Sequence, residues 1–320
     1  MDNITHTLVG AALGQAGLKR RTALGMTTLV IAANLPDVDA VSYWTGGAIG
    51  FRRGWTHGVL AIVVLPFLLT GLILAWDRRV RRRRVRGDTA GAGPAPVAPR
   101  QVLLLAFLAV LTHPFLDWLN TYGERWLMPF RNVWYHGDAW FIMDPWVWLV
   151  LGAGVALSAW LGRGERHRAT AEYPARLALA LAAAYALVML GISAGGRRAA
   201  SRALEAHGPG PTSVMISPTF GDPLHWDVVA WQGTAYRFGT LEVVPWRLRL
   251  DAKPFRIGLD DPAARTAAAS PQARPFLNWA RFPVFYVSHA PTADIVRIVD
   301  VRYGAQGWAT TTVVLPHPAR

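Results

Sequence analysis

His113-Pro114-Phe115-Leu116-Asp117 closes an apolar run that begins at Gln101. In a helix, residues i and i+4 lie on one face, one turn apart. This stretch therefore presents an imidazole and a carboxylate together. Such a pair can grip a divalent cation, or it can act as a hydrogen-bonded pin between two helices. The run before it, Gln101–Thr112, is apolar enough to enter a bilayer. An ionisable pair inside or at the mouth of a membrane segment is costly, and by default it marks a functional site.

The composition agrees with a membrane setting. Of the 320 residues, 52% are hydrophobic and only 17% are charged, and the mean hydropathy is +0.22. That is too apolar for an ordinary soluble domain and suits a membrane protein with a soluble part. The net charge is +13, almost all of it from Arg, and it is clustered. With no Cys in the chain, neither a disulfide nor a thiolate metal site can form. Met1-Asp2-Asn3 carries no basic n-region, so no removable signal peptide is expected.

Further apolar segments lie on both sides of the quoted stretch. Ile4–Leu18 and Thr22–Leu35 are short runs separated by Lys19-Arg20-Arg21, and they read as a tight helical hairpin. Gly10-x-x-x-Gly14 in the first run permits close helix contact. Thr56–Trp76 is a full-length span with Pro66 as a kink. Residues 77–100 read as a disordered cytoplasmic linker, rich first in Arg and then in Gly, Ala and Pro. Gln101–Leu119, Pro145–Leu161 and Leu177–Ala194 complete the set. If the spans alternate, the basic clusters Lys19–Arg21, Arg78–Arg86 and Arg163–Arg176 share one side. The positive-inside rule makes that side the cytoplasm. The Arg-rich run is then a topogenic loop, and no nucleic-acid partner is expected.

After Gly195 the pattern changes to alternation. Residues 213–217, 225–231, 234–244, 284–289, 294–303 and 308–315 read as strands, with helix near 262–269 or 275–280. The expected architecture is a polytopic α-helical membrane domain of about six helical segments with a C-terminal β-rich extracytoplasmic domain. The boundaries are 1–196 and 197–320.

On this topology His6, Asp37, Asp39, His57, His113 and Asp117 reach one depth, at the outer mouth of the bundle. Nitrogen and oxygen donors without sulfur suit Zn²⁺ first, with Mn²⁺, Fe²⁺ or Mg²⁺ as alternatives. Six such residues serve one cation with supporting partners, or two cations sharing a bridging Asp. Asp39 is also the carboxylate expected to orient an attacking water. Arg52 and Arg53 are candidates for an anionic phosphate, and Asn120 for support of the ligands. His136, Asp138 and Asp144 are weaker candidates, because Asp144 before Pro145 reads as a helix N-cap. A bound divalent cation polarises a phosphoryl oxygen and activates water near neutral pH. The chemistry is that of a phosphoester hydrolase.

The stretches Asp2–Gly10, Asn34–Asp39, Arg53–His57 and His113–Asp117 together resemble the YdjM-like family. That family is also described as LexA-binding, inner-membrane-associated metal-dependent hydrolases. The resemblance covers about the first 145 residues, by the placing of these four motifs along a span-and-loop pattern. Leu224-His225-Trp226, Asn278–Pro283 and Asp300–Gly304 look like the C-terminal extension of longer members. The metal pattern is distantly similar to that of zinc-dependent phospholipase C and P1 nuclease. An early His, an Asp, a His and a His-x-x-x-Asp follow in that chain order and carry over onto His6, Asp37 or Asp39, His57, His113 and Asp117. The later His-x-x-x-Glu of those enzymes has no counterpart here. The resemblance implies a multi-pass protein of the bacterial inner membrane. Its expected partners are membrane lipid and a small or lipid-linked phosphoester. The rival reading is a non-enzymic membrane regulator or scaffold with a structural metal.

Overall fold

The computed structural model describes residues 1–45, 48–81, 95–164, 169–206, 208–304 and 307–317. The chain divides into two compact units. One comprises Met1–Val41 and Arg52–Gly191, the other Ser42–Phe51 and Ile192–Arg320.

The first unit is helical. Its elements are α1 (Asn3–Gln15), α2 (Gly25–Asn34), α4 (Val59–Trp76), α5 (Pro99–Trp118) and α6 (Pro145–Leu161), with most of α7 (Tyr173–Glu205). The short helix α3 (Ala48–Phe51) belongs to the second unit. A 3₁₀ segment, Leu35–Thr45, continues from α2. Asp2 starts α1 by accepting from the backbone N–H groups of Ile4 and Thr5, which satisfies donors that a helix start leaves unpaired. Asp144 does the same for α6, accepting from Trp146 and Val147 with Pro145 at the first turn, as the sequence indicates.

The α1–α2 hairpin is as tight as Gly10 and Gly14 suggest. A Cβ on Gly10 would lie 2.8 Å from the Leu29 carbonyl oxygen and 3.1 Å from the Ala33 Cβ. Gly10→Ala is therefore expected to push α1 off α2. The predicted cost is about 1–3 kcal/mol, read as a lower unfolding temperature of the detergent-purified protein. An unchanged temperature would show that the hairpin has slack.

Along α5 the buried residues are Val102, Leu105, Ala106, Ala109, Val110, His113, Leu116 and Asp117, with Pro114. This is the i, i+3, i+4 stripe of a core-facing helix. Its apolar part packs with Leu29, Ala32, Ala33, Leu69 and Ile73. His113 and Asp117 continue the same stripe, so the polar site stands where the core would otherwise extend. The opposite faces stay apolar and exposed: Leu104, Leu108, Leu111 and Phe115 on α5, and Val63, Val64, Phe67, Leu68 and Leu72 on α4. Apolar surface on this scale marks a face that meets something other than water.

Among the described residues, three helices are long and apolar enough to cross a membrane: Val59–Arg81, Pro99–Trp118 and Tyr173–Glu205. Pro145–Leu161 is apolar but shorter. At 13 and 10 residues, α1 and α2 fall short of the ~30 Å hydrocarbon core. The expectation of about six helical segments thus resolves into three candidate spans and shorter helices. The linker reading over 77–100 falls mostly on 82–94, outside the described residues. Asp77–Arg81 prolongs α4 as a π-helical turn, and α5 begins at Pro99.

The last helix differs most from its sequence reading. Gly195 and Gly196 suggest an end near Ala194, yet α7 continues to Glu205. A Cβ on Gly196 would lie 2.7 Å from Leu241 Cδ2 and 2.9 Å from Ile216 Cδ1. The glycine lets sheet side chains approach the helix. Its propensity cost of about 1 kcal/mol does not stop a helix packed in this way.

In the second unit an antiparallel sheet orders β1 (Ser213–Thr219), β2 (Asp222–Gln232), β3 (Ala235–Glu242) and β4 (Arg247–Leu250), with β5 (Phe255–Arg256) also on β3. A second sheet holds β6 (Pro283–His289), β7 (Ala293–Asp300) and β8 (Thr310–Pro316). Between them α8 (Pro262–Ala269) and α9 (Arg274–Trp279) occupy both stretches where helix is expected. Trp226, Tyr236, Trp279 and Phe282 are fully buried, so these aromatics are core residues.

Candidate metal centre

Four residues from three places in the chain converge: Asp37, His57, His113 and Asp117, each offering a ligand atom within 4.8 Å of all the others. The Nε2 atoms of His57 and His113 lie 3.1 Å apart. Each is 3.4 Å from Asp117 Oδ2 and 3.8 Å from an Asp37 oxygen. Ligand bonds of about 2.0–2.1 Å around a tetrahedral ion give edges near 3.3–3.4 Å, so the group has the span of a one-cation site. Asp117 Oδ2 and both ring nitrogens of His6 are buried without a hydrogen-bond partner. Buried polar atoms are normally paired, and a cation would satisfy a carboxylate oxygen placed as Asp117 Oδ2 is. The residues present fit a divalent ion.

Each ligand is held from behind. His113 Nδ1 donates to the Ala33 carbonyl, 2.6 Å away, which leaves Nε2 free to bind. The carbonyl is available there because α2 ends just beyond it. Asp39 stands behind His57, 3.4 Å from its Nδ1. The same carboxylate accepts from Thr56 Oγ1 at 2.9 Å and from the Arg53 backbone N–H at 2.8 Å. Burial alone would raise the Asp39 carboxyl. The His57 hydrogen bond and charge, the Arg52 charge and the Arg53 N–H outweigh it and hold the group at about 2. Arg53 adopts φ 51°, a left-handed conformation uncommon for a residue with a side chain. The turn beyond it is closed by bonds from the N–H groups of His57 and Gly58 to the Gly54 carbonyl. A Cβ on Gly58 would sit 2.3 Å from the Met128 carbonyl oxygen, so only glycine fits where this turn meets α4.

Asp117 faces two ways. Its Oδ2 points to His57 and His113, while Oδ1 meets His6 Nε2 at 3.3 Å and Arg53 Nη2 at 2.9 Å. The Met1 α-amine also pairs with Oδ1. His6 stacks on His113, with ring centroids 3.7 Å apart. It therefore adjoins the group through Asp117 and lies outside the four.

The two arginines separate in role. Arg52 bridges Asp37 and Asp39 at the edge of the centre, with its side chain 12% exposed. Arg53 is 2% exposed. Beyond Asp117, its guanidinium donates to Asn120 Oδ1 at 3.2 Å and the Gly123 carbonyl at 3.0 Å, and it lies over the Tyr122 ring. Asn120 thus supports Arg53. Arg53→Met would leave Asp117 buried without this partner. The expected loss is about 3–5 kcal/mol of stability, with little recovery in Arg53→Lys, because an ammonium cannot reproduce the planar fork. Thermal unfolding of the two variants checks this, and full recovery by Lys would reduce the role to charge alone.

His136, Asp138 and Asp144 stand outside the group of four. Asp144 is a cap, as described, and also accepts from the Tyr185 hydroxyl at 3.1 Å.

Sequence reasoning missed several contributors. Asn3 donates to Asp37 Oδ2 at 3.2 Å, and Thr56 joins His57 to Asp39. Glu124 is fully buried, and its burial pushes its carboxyl up. Nothing in its local spacing marks it. The second unit also holds a cluster that the strand pattern hides. His289 lies 2.8 Å from Asp294 and 3.2 Å from Asp261, and His317 lies 3.2 Å from Asp294. The cluster is solvent-exposed.

Comparison with known proteins bears on the same half of the chain. Over 178 residues the chain is 25% identical to "Uncharacterized protein YfhP" of Bacillus subtilis (strain 168), covering 52% of this chain. It spans about half, 48%, of that relative's length. No solved structure matches the chain. The model of the YdjM inner membrane protein family matches residues 1–196, which include every residue of the metal centre and all three candidate spans start within it. The chain is a membrane protein of the YdjM inner membrane protein family.

Proposed function

We propose that this protein is a membrane-bound, metal-dependent hydrolase acting on a phosphoester, lipid or lipid-linked, at the outer face of the inner membrane. The observation that carries the reading is the Asp37, His57, His113 and Asp117 group, buried at the end of a helix apolar enough to span a membrane. Divalent zinc suits its mixed nitrogen and oxygen donors best. A cation bound there would polarise a phosphoryl oxygen and lower the pKa of water. The side chains around it supply the rest. Asp39 and Thr56 hold His57 in one orientation, and Arg53 holds Asp117. Arg52, on the Asp37 side, is placed to meet an anionic oxygen. Asp39 is bound to Thr56, Arg52 and Arg53, which suits a positioning carboxylate better than a free base.

The C-terminal unit is proposed to lie outside the cytoplasm, from the alternation of basic loops. The alternative function is a regulator or scaffold with a structural metal, for which the near-complete burial of three of the four ligands speaks. A screen separates the two. The zinc-loaded protein in detergent is expected to hydrolyse a phosphodiester or phospholipid, and His57→Ala to be inactive. Stoichiometric zinc with no turnover across phosphomonoesters, phosphodiesters and phospholipids would favour the structural role.

A further inference from the structure

We infer that the groove formed by Asn3 of α1, Val30, Ile31 and Asn34 of α2, and Leu35, Asp37 and Val38 beyond them is the mouth of the metal centre, and that it receives an amphipathic phosphoester. The inference rests on the hydrolase reading above and names the route and substrate class for it.

The four ligands differ in access. His57, His113 and Asp117 are 0% exposed, and Asp37 is 9% exposed. The first three are closed from behind by Asp39 and Thr56, by the Ala33 carbonyl, and by Arg53 with His6. Asp37, the most exposed of the four, lines a surface groove of about 460 Å³. That volume is within the range of small-molecule sites, about 300–1,000 Å³.

The lining then selects the occupant. Asn3 and Asn34 place amides at the Asp37 end, with Asn3 Nδ2 bonded to Asp37 Oδ2 at 3.2 Å. Asn3 Nδ2 also reaches Asn34 Oδ1 at 3.4 Å, and Asn34 Nδ2 donates to Thr7 Oγ1 and the Val30 carbonyl, so these amides offer their oxygens as acceptors to the hydroxyl groups of an uncharged polar head. None of the described residues that line the groove is Lys or Arg, so among them a phosphate finds no ionic partner. Arg52 lies 3.0 Å from Asp37 Oδ1, a cation for the phosphate at the metal end. Ile31 and Val38 are 43% and 56% exposed and give the groove an apolar margin for hydrocarbon. A free sugar phosphate or inorganic phosphate would leave that margin uncovered.

The test follows zinc release to the chelator dipicolinate from the full-length, zinc-loaded protein in detergent. Ile31→Trp and Val38→Trp fill the groove at exposed positions and replace no ligand. Leu149→Trp, on α6, is the control. The expected result is release at least ten-fold slower in both groove variants, with zinc content unchanged and the control like wild type. Equal rates in all four proteins would overturn the mouth assignment while leaving the metal centre standing. A wild type that takes up no zinc would overturn both. A second arm adds dihexanoylphosphatidylglycerol or an equal concentration of inorganic phosphate. The lipid is expected to slow release more than phosphate does, and Asn3→Ala with Asn34→Ala to abolish the difference. Equal slowing by the two would overturn the amphipathic substrate.

Discussion

Asp117→Asn is expected to empty the centre of metal. The substitution keeps the size of the side chain and the helix beneath it. It removes the negative charge that faces His57 and His113 at 3.4 Å, and an amide is a poor ligand beside a carboxylate for Zn²⁺. His113→Ala should lose metal in the same way. The effect on stability has two sources. A metal present at 1,000 times its Kd contributes about 4 kcal/mol, which the variant forfeits. The variant also leaves Arg53, buried and 2.9 Å from Asp117 Oδ1, without its anion, at a further cost of about 3–5 kcal/mol. Because the second cost arises with or without metal, unfolding temperature alone does not separate a metal ligand from a structural carboxylate. Metal content does. Full occupancy in both purified variants would remove Asp117 and His113 from the ligand set and, with them, the hydrolase proposal.

Asp37→Asn and Asp39→Asn are expected to differ sharply. Asp37 offers oxygens to both ligand imidazoles, and its loss should abolish stoichiometric binding. Asp39 lies on the other side of the His57 ring, so its amide variant should weaken binding by about 10–100-fold while leaving the stoichiometry unchanged. Competitive titration against a zinc indicator reads both. If Asp39→Asn abolishes binding and Asp37→Asn only weakens it, the ligand roles are reversed.

That pair of aspartates shows where sequence ran out. Asn34–Asp39 reads as a ligand-bearing turn, but residues two apart in a 3₁₀ segment point in different directions. Only the packing of Arg52, Arg53 and Thr56 decides which carboxylate meets the imidazoles. His113 and Asp117 were legible because helical spacing is local. His6 was legible as a site residue, yet its place beside Asp117 and against the His113 ring depends on how closely α1 packs. Arg53 reads as an anion binder because its charge is visible in sequence, while its burial under Tyr122 and Asn120 is not. The strands after residue 212 follow from alternation, whereas β4 and β5 are too short to show a period. The helices α4, α5 and α6 follow from apolar length. The end of α7 does not, because the same glycine can break a helix or let a sheet lie close to it.

The central claim is that Asp37, His57, His113 and Asp117 hold a divalent cation, and metal analysis of the wild-type protein tests it most directly. The full chain, purified in detergent without a metal-binding tag and equilibrated with limiting zinc, manganese or iron, is expected to retain at least one ion per chain, zinc most tightly, and to lose it in His57→Ala. A folded wild-type protein that retains none of the three would contradict the account.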